Sequence, residues 1–382
     1  MIRGFWQVMR DFFFAFLVSF VCAAQAAPPQ PPSVIGKAWV LGDLSSGQVM
    51  LAQRADERFE PASLTKMMTA YVVFGALRER KLSVDQQVNV SPRASKAAGS
   101  RMFIEPRKPV TVDELIRGMV VQSGNDACIA LAEATAGNEE VFVQMMNREA
   151  MRLGMKNTKF VNASGLPDAQ HYSTAQDLYL LAAALVRDFP KEYAQYYSQK
   201  EFRYNNITQP NRNRLLWMDP SVDGIKTGHT EAAGYCLIAS SSRGGRRLLS
   251  VLLGSTSEAT RAQESLKLLN WGYQFFDSVK LYTANDALRA LEVWKGAARN
   301  VKVGLGRDLF VTVPKGEADK LKAELVSQQP LVAPLSKGQR IGVLRVTHDG
   351  KAFGEYPLVT LEPVAAAGFF GRSWDTLRLW LK

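Results

Sequence analysis

A serine and a lysine three residues apart, Ser63 and Lys66, lie in the run Pro61-Ala62-Ser63-Leu64-Thr65-Lys66-Met67-Met68-Thr69-Ala70-Tyr71. The apolar residues Met67, Met68, Ala70, Tyr71, Val72, Val73 and Phe74 leave little polar surface, which predicts a helix buried by its neighbours. Pro61 and Ser63 ahead of that run are ordinary helix-start residues. Helical spacing of three puts the hydroxyl and the amine on one face. A serine beside a lysine in a desolvated site is a nucleophile beside a possible base. Alone the pair carries little weight, because an N-cap serine followed by a solvated lysine has the same letters. The rest of the chain must supply partners.

Two further motifs do so. Ser123-Gly124-Asn125 falls on a short turn between two expected helices, one opened by the capping box Thr111-x-x-Glu114 and running through Val120, the other starting at Asp126. Lys226-Thr227-Gly228 is flanked by Gly224 and His229 and precedes a strand from Tyr235 to Ser241. Ser242-Arg243-Gly244-Gly245 then reads as a turn into a returning strand from Arg247 to Leu253.

The elements around these motifs follow from pattern. Trp39 to Leu44 and Gln48 to Ala52 flank Ser45-Ser46-Gly47 as a hairpin. Glu139 to Arg152 is helical with Gly154 as its stop, Thr174 to Val186 is a further helix, and Phe202, Tyr204 and Ile207 hint at strand. Leu266, Leu269, Tyr273 and Phe276 follow helical spacing. From about Leu281 the character changes to short strand-like runs, Val301 to Val303, Leu309 to Val313, Ile341 to Thr347 and Pro357 to Leu361, with Asp349-Gly350 as a hairpin signal between the last two. The expected organisation is an α/β (α+β) domain over residues 34–278, a small all-β domain over 281–364 and a terminal helix over 368–382.

Composition limits the function classes. With 382 residues, 47% of them hydrophobic and 22% charged, the chain has room for two or three domains with real cores. Its 47 Lys and Arg against 36 Asp and Glu give a formal charge of +11. Those cations are spread without a run of five or six, so nucleic acid is not an expected partner, whereas an anionic surface is. Met1 to Ala27 has a basic start, an apolar run from Phe12 to Ala24 and small residues at Ala24-Gln25-Ala26, the parts of a secretory signal over residues 1–26. Of three cysteines, Cys22 lies in that segment, and Cys128 and Cys236 are expected as two buried free thiols. At the other end, Phe370, Trp374, Leu377 and Leu381 recur at helical spacing beside Arg372, Arg378 and Lys382, which suggests a helix lying on a membrane surface.

The order of the three motifs, with the export signal, resembles the serine D-Ala-D-Ala carboxypeptidases, the low-molecular-mass penicillin-binding proteins; motif sets of this type are well attested for β-lactamases and penicillin-binding proteins. The likeness runs through Pro61 to Tyr71, Gln122 to Cys128, Asn211 to Trp217 and Asp223 to Gly234, and it covers the domain layout. The resemblance implies a serine β-lactamase/transpeptidase-like catalytic domain, an antiparallel sheet with a helical cluster. It implies that Ser63 is the acylated nucleophile and that Lys66 is its base, with a pKa lowered by desolvation and by Lys226. By the same likeness Ser123 relays the proton to the leaving D-Ala amine, and Asn125 holds the substrate peptide and helps orient Lys66. Lys226 and Thr227 would lie on a strand edge and bind the terminal carboxylate, Gly228 would admit the substrate close to the backbone, and the backbone N–H groups of Ser63 and His229 would form an oxyanion hole. Arg212 would add positive charge for the carboxylate, although Asn211-Arg212-Asn213-Arg214 offers two arginines. Implied partners are peptidoglycan stem peptides ending in D-Ala-D-Ala, β-lactam antibiotics as covalent inhibitors, and the membrane surface at the periplasmic face of a bacterial cytoplasmic membrane. No metal or organic cofactor is implied.

His229 also invites a Ser-His-Asp reading, but nothing around Ser63 looks like a nucleophile elbow and no carboxylate stands by as orienter. Two departures from the motif set matter. Glycine replaces the aspartate of Ser-Asp-Asn, and the loop Ala163-Ser164-Gly165-Leu166 leaves open which residue assists deacylation. A β-lactamase is the nearest alternative. Its glutamate-x-x-x-asparagine spacing is matched only by Glu201 and Asn205 in a strand-like stretch. A non-catalytic penicillin-binding scaffold is the other.

Overall fold

The computed structural model describes residues 30–380; the signal segment expected over 1–26, and Leu381 and Lys382 of the terminal helix, lie outside them. The larger, N-terminal part is built on a five-stranded antiparallel sheet. Its hairpin pairs β1 (Ala38–Asp43) with β2 (Gln48–Gln53), and Gly47 at φ +73° makes the turn, where a left-handed residue costs glycine nothing. Next come β3 (Val222–Thr230), β4 (Gly234–Arg243) and β5 (Arg246–Ser255), in the spatial order β2-β1-β5-β4-β3. The strand that carries Lys226-Thr227-Gly228 is therefore an edge strand, one side of its backbone left without a sheet partner.

Helices cover both faces. On one side α1 (Lys66–Arg78) is the core of the domain: every residue from Lys66 to Phe74 is buried. Around it pack α2 (Asn125–Ala136), α3 (Glu139–Arg152) and α4 (Ala175–Asp188). Asn138 and Thr174 cap the last two with side-chain bonds to Val141 N and Asp177 N. On the other side α5 (Glu258–Phe275) places Leu268, Leu269 and Trp271 against Leu41, Leu248 and Leu252 of the sheet. The capping box at Thr111 and Glu114 has both of its bonds, but the helix it opens is shorter than the apolar pattern predicts, ending at Arg117. Gly118–Gln122 continues as a π-type turn and delivers Ser123 in the left-handed region, at φ +67°.

Beyond α5 the chain is all β. A ribbon pairs β6 (Phe276–Tyr282) with a strand at Leu309–Pro314, and a six-stranded sheet holds Leu321–Ser327, Arg340–His348, Lys351–Thr360, Asn300–Gly304, Arg289–Trp294 and Leu331–Val332 in that order. Asp349 and Gly350, at φ +49° and +74°, make the expected hairpin. Pattern alone misses Phe276–Tyr282, Arg289–Trp294 and Leu321–Ser327, in which charged and apolar residues do not alternate cleanly. A polar joint ties the β part to the first hairpin. Asp43, fully buried, accepts from Thr312 Oγ1 at 3.1 Å and from Arg246 Nε at 2.7 Å, while Gln48 Oε1 accepts from Thr312 N. The last helix, α6 (Phe369–Trp380), is tethered by Asp375, which accepts from Lys295 N, and by Arg378 over the ring of Trp294. Among the described residues no helix is long and apolar enough to cross a membrane.

Candidate active site

Ser63 is not on the α-helix itself. It sits in a 3-10 turn, Ala62–Thr65, from which α1 continues at Lys66, and its hydroxyl caps nothing. A 3-10 turn eclipses residues three apart, so Lys66 Nζ lies 2.9 Å from Ser63 Oγ. Two other groups hold the amine: Asn125 Oδ1 accepts from it at 2.7 Å and the Ser164 carbonyl at 2.6 Å. Both can only accept. An ammonium would donate to all three, but a neutral amine has two N–H bonds and one lone pair. With both N–H bonds spent on Asn125 and Ser164, the lone pair faces the Ser63 hydroxyl, which then donates. That is the arrangement of a base on a nucleophile.

Burial favours the neutral amine. Lys66 is 1% exposed, and desolvation lowers its pKa to about 8; the Arg212 guanidinium pushes the same way, against the opposing pull of Cys128 and Asp126. Lys226, also buried, is held well below its usual range by desolvation first and by Lys66 second. The two buried amines repel each other, and the permanent cation that acts on both is Arg212. Of the two arginines left open by the sequence, Arg212 is the one whose charge lowers both lysines.

The second motif closes another side. Asn125 opens α2, and its Nδ2 donates to Ala98 O at 2.6 Å, fixing which end of the amide meets Lys66. Asp126 accepts from the backbone N–H groups of Met102, Phe103 and Ile104 and so pins the segment opposite. Ser123 is 3% exposed, and its Oγ has no hydrogen-bond partner among the described residues. A buried, unpaired hydroxyl on a left-handed serine is an uncompensated cost, of the kind that collects at functional sites.

Lys226 and Thr227 are buried on β3, while the His229 side chain is exposed and lies against the ring of Tyr235, with 4.2 Å between ring centres. At Gly228 an added Cβ would come within 3.2 Å of Ala62 Cβ and of Pro61 O. The close approach that requires glycine there is thus, first, that of the edge strand to the turn carrying Ser63. Eight of the nine residues singled out from sequence belong to these three walls; the ninth, Arg212, lies on the segment before Leu215 and acts on both lysines by its charge. Glu201 and Asn205 do not: they sit on a separate hairpin, Glu201–Tyr204 with Ile207–Pro210, where Glu201 is exposed and Asn205 donates to Glu105.

Sequence reasoning missed the floor. Asn162 Oδ1 accepts from Ser164 N, Gly165 N and Leu166 N, folding the loop so that the Ser164 carbonyl meets Lys66. Gly165 is at φ +82°, and a Cβ there would fall 1.8 Å from Ala62 O. Beneath lies His171. Val161 N donates to its Nδ1 at 3.3 Å, so its Nε2–H donates to Thr65 Oγ1 at 2.8 Å, and burial lowers its pKa to about 4. A glycine after Asn-Ala-Ser was the available signal. Cys128 is a free thiol, pushed up to about 12 by burial, that donates to Gly124 O; Cys236 is likewise free and buried. A cavity of about 740 Å³ at the far end of α1, around Tyr71, Arg152 and Asp188, contains none of the candidate residues.

The sequence matches the D-alanyl-D-alanine carboxypeptidase family over residues 24–257 and the C-terminal domain of penicillin-binding protein 5 over residues 276–366. It is 44% identical over 371 residues to D-alanyl-D-alanine carboxypeptidase DacC of Escherichia coli, covering 94% of this chain and 92% of that one. Penicillin-binding protein 5 from Haemophilus influenzae superposes with a TM-score of 0.85 at 41% identity, over 88% of this chain and 99% of that one. Penicillin-binding protein D2 from Listeria monocytogenes, in its ampicillin-bound form, does so with a TM-score of 0.59 at 31% identity, over 64% of this chain and all of that one. With a three-walled serine-lysine site on the catalytic domain and the all-β domain behind it, the chain belongs to the D-alanyl-D-alanine carboxypeptidase family and has the penicillin-binding protein 5 fold.

Proposed function

We propose that the protein removes the terminal D-Ala from peptidoglycan stem peptides through an acyl-enzyme on Ser63. The observation that carries this reading is the Lys66 amine, buried, 2.9 Å from Ser63 Oγ, with its two other contacts able only to accept. Lys66 takes the hydroxyl proton as Oγ adds to the carbonyl carbon of the penultimate D-Ala. The backbone N–H groups of Ser63 and His229 face the developing oxyanion. Ser123, whose hydroxyl has no partner among the described residues, passes a proton to the leaving nitrogen; the C–N bond breaks and D-Ala departs. Arg212, with Lys226 and Thr227, holds its carboxylate. Water then cleaves the ester and returns Ser63.

A β-lactam enters the same steps, but its leaving nitrogen stays tethered by the opened ring and blocks water, so the ester persists. A related protein of known structure is in an ampicillin-bound form. The residues before 27 would direct export and be removed, which puts the enzyme at the periplasmic face of the cytoplasmic membrane. The α6 helix would rest on that surface: Phe370, Trp374 and Trp380 are 87%, 63% and 83% exposed, and Arg372 and Arg378 suit anionic headgroups. Release of D-Ala from diacetyl-L-Lys-D-Ala-D-Ala by wild type, and none by Ser63→Ala, is the expected result. A folded wild type that releases no D-Ala sinks the reading.

A further inference from the structure

Arg212 and Gln122, the neighbour of Ser123, also line an open cavity of about 670 Å³, together with Arg214, Trp217, Met218 and Glu258. A substrate that ended at D-Ala would stop at Arg212 and leave this space to water.

The cavity is built, not incidental. In Asn211-Arg212-Asn213-Arg214 the residues alternate buried and exposed. Asn211 donates to Gln199 O and Asn213 to Gly224 O, while Asn213 Oδ1 accepts from Leu215 N. The two asparagines therefore clamp the backbone to its surroundings and turn both arginines outward. Arg261, 5% exposed on α5, donates to the Arg212 carbonyl at 3.2 Å and pairs with Glu258 at 3.1 Å, which fixes the opposite rim. Neither the Arg212 nor the Arg214 side chain has a hydrogen bond or an ion pair among the described residues. Two unpaired guanidinium groups two residues apart suit two carboxylates. Next to them Trp217 and Met218, each 49% exposed, form an apolar wall, which is unusual for large apolar side chains beside a polar cleft.

We infer that this cavity is a leaving-group subsite for a D-residue larger than alanine, one whose side chain is an aliphatic spacer ending in a second carboxylate. The inference rests on the carboxypeptidase reading above. The α-carboxylate lies at Arg212, the spacer runs along Trp217 and Met218, and the distal carboxylate meets Arg214. The chemistry is unaltered: the same amide C–N bond breaks, Ser63 is acylated by the same D-Ala carbonyl, and the amine leaves with the proton from Ser123.

Three substrates of the form diacetyl-L-Lys-D-Ala-D-Xaa test it, with Xaa alanine, norleucine or 2-aminoadipate; the last two share the spacer and differ in the end group. Wild type is expected to show kcat/KM for aminoadipate about fivefold above that for norleucine, the size of one partly exposed ion pair. In Arg214→Ala that ratio falls to about one, and in Arg214→Lys part of it returns. Trp217→Ala lowers kcat/KM for both long substrates relative to the alanine one. A wild-type ratio of one or less, or a preference that survives in Arg214→Ala, overturns the subsite. Loss of turnover on all three substrates in wild type instead overturns the carboxypeptidase reading, and this inference with it.

Discussion

Asn125 presents its amide oxygen to Lys66 at 2.7 Å because its amide nitrogen is already committed to Ala98 O at 2.6 Å. The amide is not free to turn round when Lys66 changes protonation state. Its orientation is what reserves the amine lone pair for Ser63. Asn125→Asp keeps the shape and adds a negative charge that favours the ammonium. The acid limb of acylation by penicillin is expected to move up by about one to three pH units, with at least a tenfold loss of rate at pH 7. An unmoved limb would show that the amide does not control the base.

The wild-type limb itself is set by Lys66. Activity requires the neutral amine, so acylation rises with pH through a value of about 8 and is flat above it. Arg212→Ala removes a permanent cation and lets Lys66 hold its proton to higher pH, so the limb moves up. Lys226→Ala weakens carboxylate binding and removes an amine that repels Lys66, so it too moves the limb up. A pH series of acylation rates on the three proteins gives the order.

His171 makes stability depend on pH. Its pKa falls from 6.5 to about 4 on folding, so below 6.5 the unfolded chain binds a proton that the folded one refuses. Stability is complete above 6.5 and is lost as pH falls towards 4, by up to about 3 kcal/mol. Thermal unfolding between pH 7 and 4 should show this slope, and His171→Asn should flatten it.

Gly165→Ala meets both a left-handed backbone and the Ala62 carbonyl. Either the loop moves, withdrawing the Ser164 carbonyl from Lys66, or the domain loses about 3 kcal/mol. Urea unfolding together with the penicillin acylation rate separates the two, and a variant unchanged in both contradicts the packing described.

Truncation before Gly368 removes α6 and should abolish binding to anionic vesicles while leaving D-Ala release in solution intact. Sedimentation with vesicles of phosphatidylglycerol reads this directly; a truncated protein that still pellets with them rules out the helix as anchor.

Much of the site was legible in the sequence because it is written in short local spacings. Ser63 and Lys66 share one turn, Ser123 and Asn125 share another, and Lys226-Thr227-Gly228 is one strand, so three local motifs bring three walls. What pattern could not give is what meets them from afar. The Ser164 carbonyl reaches Lys66 across 98 residues, and a backbone oxygen leaves no mark in a sequence. Nor does environment: two lysines look alike in a sequence, and only their neighbours reveal that Lys66, beside Ser63 Oγ, is the one placed as base. In the fold, the ends of elements slipped where geometry changed without a change of composition, as where the helix after Thr111 gives way to a π-type turn before Ser123.

That turn ends on a residue in a backbone region where a side chain is strained by about 1–2 kcal/mol and glycine is not. Glycine at position 123 would relax the chain and relieve a buried hydroxyl at one stroke, and it would take away the proton carrier. Stability and turnover therefore pull in opposite directions at Ser123, and a search for a more robust form of this protein by thermal selection alone would drift towards an inert one.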